Sequence, residues 1–403
     1  MGQLDGVKVL DFSHHVAGPV CTMMLADLGA TVIKIEPPPT GEAARTAGTF
    51  RVADGMWPTS FFAHNRNKKS LVVDLKSAEG KQVVLDLAAQ ADVLVENFRP
   101  DVMARLGLDY TILAQVNPRL VYCAITAFGP DGPYSEKRGL DIVLQAMGGL
   151  MSLTGSAGSK PVPAGAPIAD TVSGIYASVG ILAALHSRAA TGAGQRVDIP
   201  MLDCVSAILT SRIQQYFATG EDLAALGAGH PQAFPWEVFQ ASDAPFVLAI
   251  NTDAFWQKLC VAIGLPDMAK DERYASNTLR VASRQEINAI FARTFAQHPR
   301  AYWTELFDKF GLPSGPILKL SEVVQDPQAV HNKIFPAMET PGGTVRTTRS
   351  PIRFSGWPEP LLNPPPMLGA DTVATLRDAG YSSDQIAGLL ADGVIQQSSE
   401  AGE

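Results

Sequence analysis

The sequence lacks the short motifs that identify the common nucleotide-binding and hydrolytic enzymes. No GxGxxG follows the first predicted strand, and neither GxxxxGK[ST] nor GxSxG occurs in the 403 residues. The first two patterns hold the phosphates of dinucleotides and nucleoside triphosphates, and the third marks the nucleophile of α/β-hydrolases. Their absence leaves the usual nucleotide sites without support and weakens a hydrolase interpretation.

Cysteine and basic charge are also scarce. The four cysteines lie far apart and form no CxxC and no Cys/His pair at metal-ligand spacing: Cys21, Cys123, Cys204 and Cys260. We therefore expect reduced thiols in a cytoplasmic protein without a metal site. The formal net charge of −8 argues against a nucleic-acid partner, since proteins that bind nucleic acids carry a basic surface stripe.

No membrane attachment is predicted. Residues 4–11 already have the pattern of ordered structure, so no signal peptide is expected. The most apolar helix pattern, over residues 171–185, is interrupted by Ser173 and Gly174 and is too short to span a bilayer. With 46% hydrophobic and 18% charged residues, the chain has an ordinary globular composition, and its length favours two domains.

Strands and helices alternate in the first third of the chain. The predicted strands cover residues 7–12, 31–35, 71–74, 93–96 and 120–127, with helices over 17–28 and 78–89. This alternation is typical of βαβ units and predicts an α/β fold with a mainly parallel sheet. Ligands bind beyond the carboxyl ends of such strands. One site is therefore expected at the loops that follow Phe12, Ile35, Asp74, Glu96 and Ala127.

The pattern loosens near residues 219–229, after a predicted strand over 194–199 and a helix over 201–218. A hairpin near 237–249 and several helices follow. We therefore predict three segments: a large domain over 1–218, a smaller α+β domain over 219–325, and a return to the large domain over 326–403. The last segment has a closing helical pair over 370–391 and a frayed polar tail over 396–403.

The stretch GAPIADTVSGIY, residues 165–176, is the strongest candidate for a functional site. A Gly/Pro/Ala-rich approach ends at Asp170, where a long apolar helix is predicted to begin. An aspartate there accepts bonds from unpaired backbone N–H groups, and the helix dipole favours its charge, so we expect an ionised carboxylate. The pattern alone leaves three interpretations open: an ordinary helix cap, a catalytic nucleophile or base, and an anion site.

Three further segments are candidates. His14 and His15 follow the first strand, but no third ligand has useful spacing, so they are interpreted as polar groups at a cleft rather than metal ligands. The basic run HNRNKK, residues 64–69, is either a solvated loop or a landing place for phosphates. The loop over 148–158 is rich in small residues and could offer backbone N–H groups to a ligand.

The chain resembles the class III CoA-transferases over nearly its whole length. This family includes the formyl-CoA and carnitine CoA-transferases and the α-methylacyl-CoA racemases. The motifs that carry the resemblance occur in family order: LDGVKVLD (4–11) with AGP (17–19), DLGATVIKIE (27–36), NKKS (67–70) with DLK (74–76), ADVLVENFRP (91–100), TGAGQ (191–195) and PSGP (313–316).

The resemblance implies a Rossmann-like large domain, a small domain, and two chains interlocked as a homodimer. It implies acyl-CoA and a small carboxylate as substrates, with coenzyme A as a substrate and no permanently bound cofactor. The family's catalytic aspartate falls on Asp170. Its CoA-binding positions fall on Val16, Ala17, Val73, Lys76, Asn97, Phe98, Arg99, Arg105, Arg138 and Asp141. Phosphate contacts are also expected from Arg66, Lys68 and Lys69.

Three departures refine this expectation. Val16 stands where formyl-CoA transferases have a glutamine near the oxalate, and Pro37 replaces an arginine, so we expect an acceptor less polar than oxalate. The racemases use a histidine in Gly-His-Asp, whereas here Leu140 has no proton to exchange. The resemblance thus favours a transferase, in which Asp170 forms an anhydride and then an aspartyl-CoA thioester. Gly148 and Gly149 are candidate donors to the oxyanions. An acyl-CoA racemase or isomerase and a non-catalytic CoA-binding relative are the alternatives.

Overall fold

A computed structural model describes residues 2–356 and 362–398 of the chain. Its strands are β1 Lys8–Asp11, β2 Thr31–Glu36, β3 Arg51–Val52, β4 Trp57–Pro58, β5 Lys68–Val73, β6 Val93–Glu96, β7 Val121–Thr126, β8 Arg196–Pro200, β9 Trp236–Gln240, β10 Pro245–Ala249, β11 Ser314–Pro316, β12 Ala337–Thr340, β13 Gly343–Arg346 and β14 Ile395–Gln396. Its α-helices are α1 Ala17–Asp27, α2 Thr59–His64, α3 Ala78–Ala88, α4 Val102–Leu106, α5 Tyr110–Val116, α6 Asp141–Met147, α7 Leu150–Leu153, α8 Ile168–Thr191, α9 Met201–Ile208, α10 Thr210–Thr219, α11 Asp253–Ala262, α12 Asn277–Ala282, α13 Arg284–Phe295, α14 Arg300–Lys309, α15 Leu320–Val323, α16 Pro327–His331, α17 Thr372–Asp378 and α18 Ser383–Ala391.

The main sheet has the strand order β14-β5-β2-β1-β6-β7-β8. Its strands pair in parallel, except that β14 runs antiparallel to β5 at the edge. In the centre, Val9 of β1 pairs with Val32 of β2 on one side and with Val93 of β6 on the other. The chain therefore builds the sheet outward from β1 in both directions, which makes the β1/β6 boundary a topological switch point. The predicted α/β fold with a mainly parallel sheet is confirmed.

Helices cover both faces of this sheet because its central strands are apolar on both faces. Neighbouring residues of β1 point to opposite sides: Val9 joins a core with α1, α8 and α9, whereas Leu10 joins a core with α3, α5, α17 and α18. The closing helical pair α17–α18 therefore packs on the same sheet as the first strands. This arrangement fixes the carboxyl ends of β1, β6 and β7, where the candidate site lies.

A second compact unit consists of Met151–Val162 and Glu221–Asn332, and the first of Met1–Leu150, Pro163–Gly220 and Lys333–Glu403. In the second unit, the antiparallel sheet β11-β10-β9 and helices α11 to α14 enclose an aromatic core that includes Phe246, Phe291 and Phe295. Residues 151–162 were assigned to the large domain from the sequence. They group with the second unit, in which Gly155 O accepts a hydrogen bond from Gly227 N.

Helix α8 differs from its predicted form. It begins two residues before Asp170 and runs for 24 residues, and among the described residues it is the one helix whose length and composition would suffice to cross a membrane. The prediction that it is too short was therefore wrong, although core helices of globular proteins have the same length and composition. Gly174 does not interrupt α8. A Cβ there would lie 2.6 Å from Ala17 O, so the glycine permits close packing on α1.

Two other segments depart from their predicted form. The helix predicted over 201–218 is two helices, α9 and α10, which meet at Leu209. The predicted frayed tail begins within β14, since Gln396 pairs with Val72 of β5. Its last five residues, 399–403, lie outside the described part of the chain.

Candidate active site

A cavity of about 630 Å³ lies at the carboxyl ends of β1, β6 and β7. Its lining residues come from the loops after these three strands, from the end of β7 and from helices α1, α4, α6, α8 and α9: His14, His15, Val16, Ala17, Asn97, Phe98, Arg99, Pro100, Val102, Arg105, Ile125, Thr126, Ala127, Ser135, Lys137, Arg138, Gly139, Leu140, Asp141, Asp170 and Met201. These loops follow the strands on either side of the switch point, where open α/β sheets bind ligands.

Most of the predicted site residues meet in this cavity. It brings together Val16, Ala17, Asn97, Phe98, Arg99, Arg105, Arg138, Asp141 and Asp170. Of the five loops expected at one site, those after β1, β6 and β7 line it. The loops after β2 and β5 do not, because β2 and β5 lie on the other side of β1 in the sheet.

Two predicted CoA-binding residues lie outside the cavity lining. Val73 is at the end of β5 and is fully buried in the core, and Lys76 is exposed in the turn that follows. The predicted oxyanion donors Gly148 and Gly149 also do not line it. Both follow the end of α6, where a Cβ on Gly148 would lie 2.5 Å from Val205.

Asp170 lies in the first turn of α8, and that turn is held by Asp141, a residue distant in sequence. Pro167, not Asp170, is the N-cap residue. Asp141 Oδ1 accepts hydrogen bonds from the backbone nitrogens of Ala169 at 2.8 Å and Asp170 at 3.2 Å. It thereby satisfies two of the N–H groups that a helix start leaves unpaired. Asp141, interpreted from the sequence as a CoA contact, therefore also caps the catalytic candidate's helix.

The charge state of Asp170 differs from expectation. Burial, together with the negative charge of Asp141, raises the pKa of Asp170 from 3.8 to about 7. Among the described residues no basic side chain forms an ion pair with Asp170 or Asp141. The prediction of a firmly ionised carboxylate was therefore wrong, because the helix dipole does not compensate for burial next to a like charge.

Gln145 was missed from the sequence. Its Nε2 donates to Asp141 Oδ2 at 2.6 Å, and its Oε1 accepts from Ala164 N at 2.9 Å, in the segment that leads into α8. Asp141 and Gln145 are four residues apart on α6, a spacing that brings side chains together on a helix. That spacing in the sequence could have identified Gln145 as a partner of Asp141. The two hydrogen bonds of Gln145 show how α6 fixes the orientation of Asp141 and the segment that leads to Asp170.

The β1–α1 loop, residues 12–16, forms another part of the cavity wall. Asn97 holds His14 on both sides, since its Oδ1 accepts from His14 N and its Nδ2 donates to His14 O, both at 2.8 Å. The His14 ring packs edge-on against Phe98, with centroids 5.1 Å apart. Burial and the ammonium of Lys34 lower the pKa of His14, which keeps the ring neutral at neutral pH.

The cavity carries exposed cations. Arg99, Lys137 and Arg138 are exposed lining residues, and Arg105 pairs with Asp101 at 2.9 Å on the surface of α4. Lys137, which the sequence analysis did not single out, lies over the ring of Tyr134 at 5.0 Å. Guanidinium and ammonium groups free to reorient can bind phosphates at the mouth of such a cavity.

The basic run over residues 64–69 has a different environment. Arg66 binds Asp27 with two nitrogens, and Lys68 Nζ lies 3.0 Å from Asp11 Oδ2, with both cations buried. Neither predicted role, a solvated loop or a phosphate site, holds for these two residues. Within the described part of the chain, no group of three or more His, Cys, Asp or Glu side chains could hold a metal ion.

Comparison with known proteins gives consistent matches. A family model described as CoA-transferase family III matches residues 4–372. The acetyl-CoA:oxalate CoA-transferase of Acetobacter aceti is 38% identical over 365 residues, 90% of this chain and 92% of that protein. The human succinyl-CoA:glutarate CoA-transferase is 34% identical over 396 residues, 98% and 90% of the two chains. A solved CAIB/BAIF family protein from Brucella suis superposes with a TM-score of 0.85 at 37% identity, covering 94% of this chain and all of that one.

Proposed function

The chain belongs to CoA-transferase family III and is a CoA-transferase, and on that premise we propose that it transfers coenzyme A to a dicarboxylic acid through covalent intermediates on Asp170. The observation that carries this proposal is the environment of Asp170. It is a carboxylate in a cavity, without a cation partner among the described residues, on a helix start held by Asp141. A carboxylate without a paired cation retains its nucleophilicity, which covalent catalysis requires.

The reaction proceeds in four steps that exchange one thioester for another. The ionised Asp170 attacks the thioester carbonyl of the donor, which gives a mixed anhydride and releases CoA thiolate. The thiolate attacks the aspartyl carbonyl, so that an aspartyl-CoA thioester forms and the donor acid leaves. The acceptor carboxylate attacks this thioester and again gives an anhydride and thiolate. The thiolate then attacks the acceptor carbonyl, which forms the new acyl-CoA and restores the Asp170 carboxylate.

The cavity residues supply binding and orientation. Arg99, Lys137 and Arg138 are cations suited to the phosphates of CoA. The first turn of α1, at Ala17, leaves N–H groups without an intrahelical acceptor, and these are suitable donors to a developing oxyanion. Gln145 and Asp141 keep the first turn of α8, and with it Asp170, in one orientation. Each group thus has a role that needs no metal.

The acceptor class is proposed from the relatives and from one lining residue. The relatives' names specify oxalate, glutarate, mesaconate or D-citramalate as the acid, and each of these is a dicarboxylic acid. Val16 adds an apolar side chain to the cavity wall. We therefore propose a dicarboxylate with an apolar segment, of the size of glutarate, in preference to oxalate.

An isotope experiment tests both the transfer and its mechanism. The protein is mixed with succinyl-CoA or acetyl-CoA and with a panel of ¹⁸O-labelled acids, and acyl-CoA and acids are followed by mass spectrometry. The anhydride route passes one acceptor oxygen to Asp170, and in the next turnover to the released donor acid. Formation of the acceptor's CoA ester without ¹⁸O in the donor acid would contradict the covalent route. No acceptor CoA ester with any acid would contradict the transferase proposal.

We also propose that the active form is an interlocked homodimer. Apolar side chains on α8, α9 and α10 are exposed in the single chain, among them Val179 at 58% and Phe217 at 70%. Contiguous exposed apolar groups are typical of protein interfaces. In an interlocked pair the chains cannot separate without unfolding, so light scattering should give twice the chain mass at every dilution, and the unfolding midpoint should rise with concentration. A folded, active species at single-chain mass would rule this assembly out.

A further inference from the structure

Four charged side chains are buried together beside the β1–α1 loop. This set, Asp11, Lys34, Glu42 and Lys68, is here called the buried ion cluster. Lys34 Nζ lies 2.9 Å from Glu42 Oε1, and Lys68 Nζ lies 3.0 Å from Asp11 Oδ2, with all four side chains fully buried. Removing charges from water is costly, and apolar residues of similar volume often stabilise a core equally well. The cluster therefore calls for an explanation other than stability.

Three of the four side chains bind the backbone of that loop. Asp11 Oδ1 accepts from Ser13 N at 2.9 Å, and Lys34 Nζ donates to Ser13 O at 2.7 Å. Glu42 Oε2 accepts from His15 N at 2.9 Å. These contacts come from β1, from β2 and from the segment after β2. The buried ion cluster thus fixes the loop from the protein interior. The opposite side of the same loop lines the cavity.

The loop needs this support because of His15. Its φ is 66°, in the left-handed region that residues other than glycine seldom occupy. Such a conformation is strained and persists only where surrounding contacts enforce it. Asn97 enforces the position of His14, but His15 N is held by Glu42. The next residue is Val16, which lines the cavity and precedes the first turn of α1.

We propose that Glu42, which forms an ion pair with Lys34, is a positioning residue for CoA transfer. It acts through the His15 N–H to hold Val16 and the start of α1 in the orientation that the reacting groups need. This inference rests on the proposed function. It adds a role for Glu42, which is buried and does not line the cavity. Small displacements of a reacting geometry lower rates strongly, so the effect should fall on kcat.

The test compares three variants. Glu42→Ala removes the acceptor of the His15 N–H. Glu42→Gln removes the charge but keeps an oxygen at position 42, and it leaves the hydrogen bond from Lys34 Nζ to Ser13 O in place. Asp27→Ala is the matched control, since it breaks the buried pair with Arg66 at the far end of α1 and touches no loop residue. Each is measured for kcat, KM for acyl-CoA and thermal midpoint. Hydrogen exchange of the peptide over residues 12–17, without substrate, reports on the loop independently of activity.

The expected pattern separates positioning from stability. Glu42→Ala should lower kcat about tenfold or more, with KM for acyl-CoA changed less than about threefold, and its loop peptide should exchange faster. Glu42→Gln should retain kcat within about threefold, and Asp27→Ala should lose stability without losing kcat. Equal kcat losses in Glu42→Ala and Asp27→Ala would overturn the proposal. So would unchanged loop exchange in Glu42→Ala, or, should that variant not fold, a tenfold lower kcat in Glu42→Gln.

Discussion

The large unit contains two groups of buried or partly buried carboxylates with opposite electrostatic environments. In the buried ion cluster, burial alone would raise the pKa of Asp11, but Lys68 and Lys34 overcome this and hold it well below its usual range. At the cavity, Asp170 and Asp141 lie near each other without a cation partner among the described residues, and the pKa of Asp170 rises to about 7. The two regions differ in charge matching more than in burial.

This difference separates structural charges from reactive ones. The charge of a carboxylate that is paired with a buried ammonium is already compensated. Such a carboxylate is therefore a weak nucleophile. An unmatched carboxylate is kept at higher energy and is a candidate for chemistry, the pattern that perturbed pKa values show at functional sites. The comparison therefore predicts which substitutions change rate and which change stability.

The largest effect is expected from Asp170. Asp170→Ala should reduce transfer by a factor on the order of 10³ or more, because the proposed covalent intermediates form on Asp170. Hydroxylamine added during turnover of the unmodified protein should convert Asp170 alone to a hydroxamate, detectable by peptide mass spectrometry. Asp203→Ala is the control and should retain activity, since Asp203 also lies in the first turn of a helix, α9, but does not line the cavity. Full activity in Asp170→Ala would show that the unmatched carboxylate at the cavity is not the reactive one.

Within the buried ion cluster, the pair of Lys68 with Asp11 should respond through stability instead. Lys68→Met leaves Asp11 buried without its closest cation and should lower the free energy of unfolding by about 3–5 kcal/mol. Urea unfolding measures the change. Lys69→Met is the control, because Lys69 is the next residue of β5 but is only partly buried, and its removal should cost within about 0.5 kcal/mol. Similar losses in both variants would show that the charge pair is not what distinguishes Lys68.

The sequence predicted the site's location better than its electrostatics. Strand and helix alternation placed ligand-binding loops at one edge of the sheet, and three of the five expected loops line the cavity. Which three depends on strand order, which local patterns do not contain: β2 and β5 lie across β1 from β6. The resemblance supplied Asp170 and eight further lining residues. It could not supply their charge states.

The errors have a common physical cause. Lys68 was interpreted as exposed or phosphate-binding because lysine is seldom buried, but a partner 57 residues earlier, Asp11, permits its burial. Asp170 was expected to be ionised because its own helix start favours charge, but Asp141, 29 residues earlier, opposes it. Both results depend on contacts distant in sequence. Local composition therefore predicted neither.

A smaller effect is expected from changing the unmatched pair. Asp141→Asn removes one of the two causes that raise the pKa of Asp170 but keeps an oxygen for the N–H groups of α8. Since Asp170 must be ionised to attack, kcat/KM should rise with pH through about 7 in the unmodified protein. In Asp141→Asn this limb should lie at lower pH, so the variant should retain relatively more activity at acid pH than at alkaline pH. An unshifted limb would mean that Asp141 acts only as a helix cap.

The smallest effect concerns the cations, where the same contrast applies. Arg138 lines the cavity, whereas Arg66 is matched by Asp27 and Lys76 lies outside the lining. Arg138→Ala should weaken CoA binding about tenfold, the value of one charge-assisted hydrogen bond, and the loss should shrink at high salt because the group is exposed. Lys76→Ala should leave affinity unchanged. Isothermal titration with CoA at two salt concentrations measures both variants. A tenfold loss in Lys76→Ala with none in Arg138→Ala would place the phosphates at β5, outside this cavity.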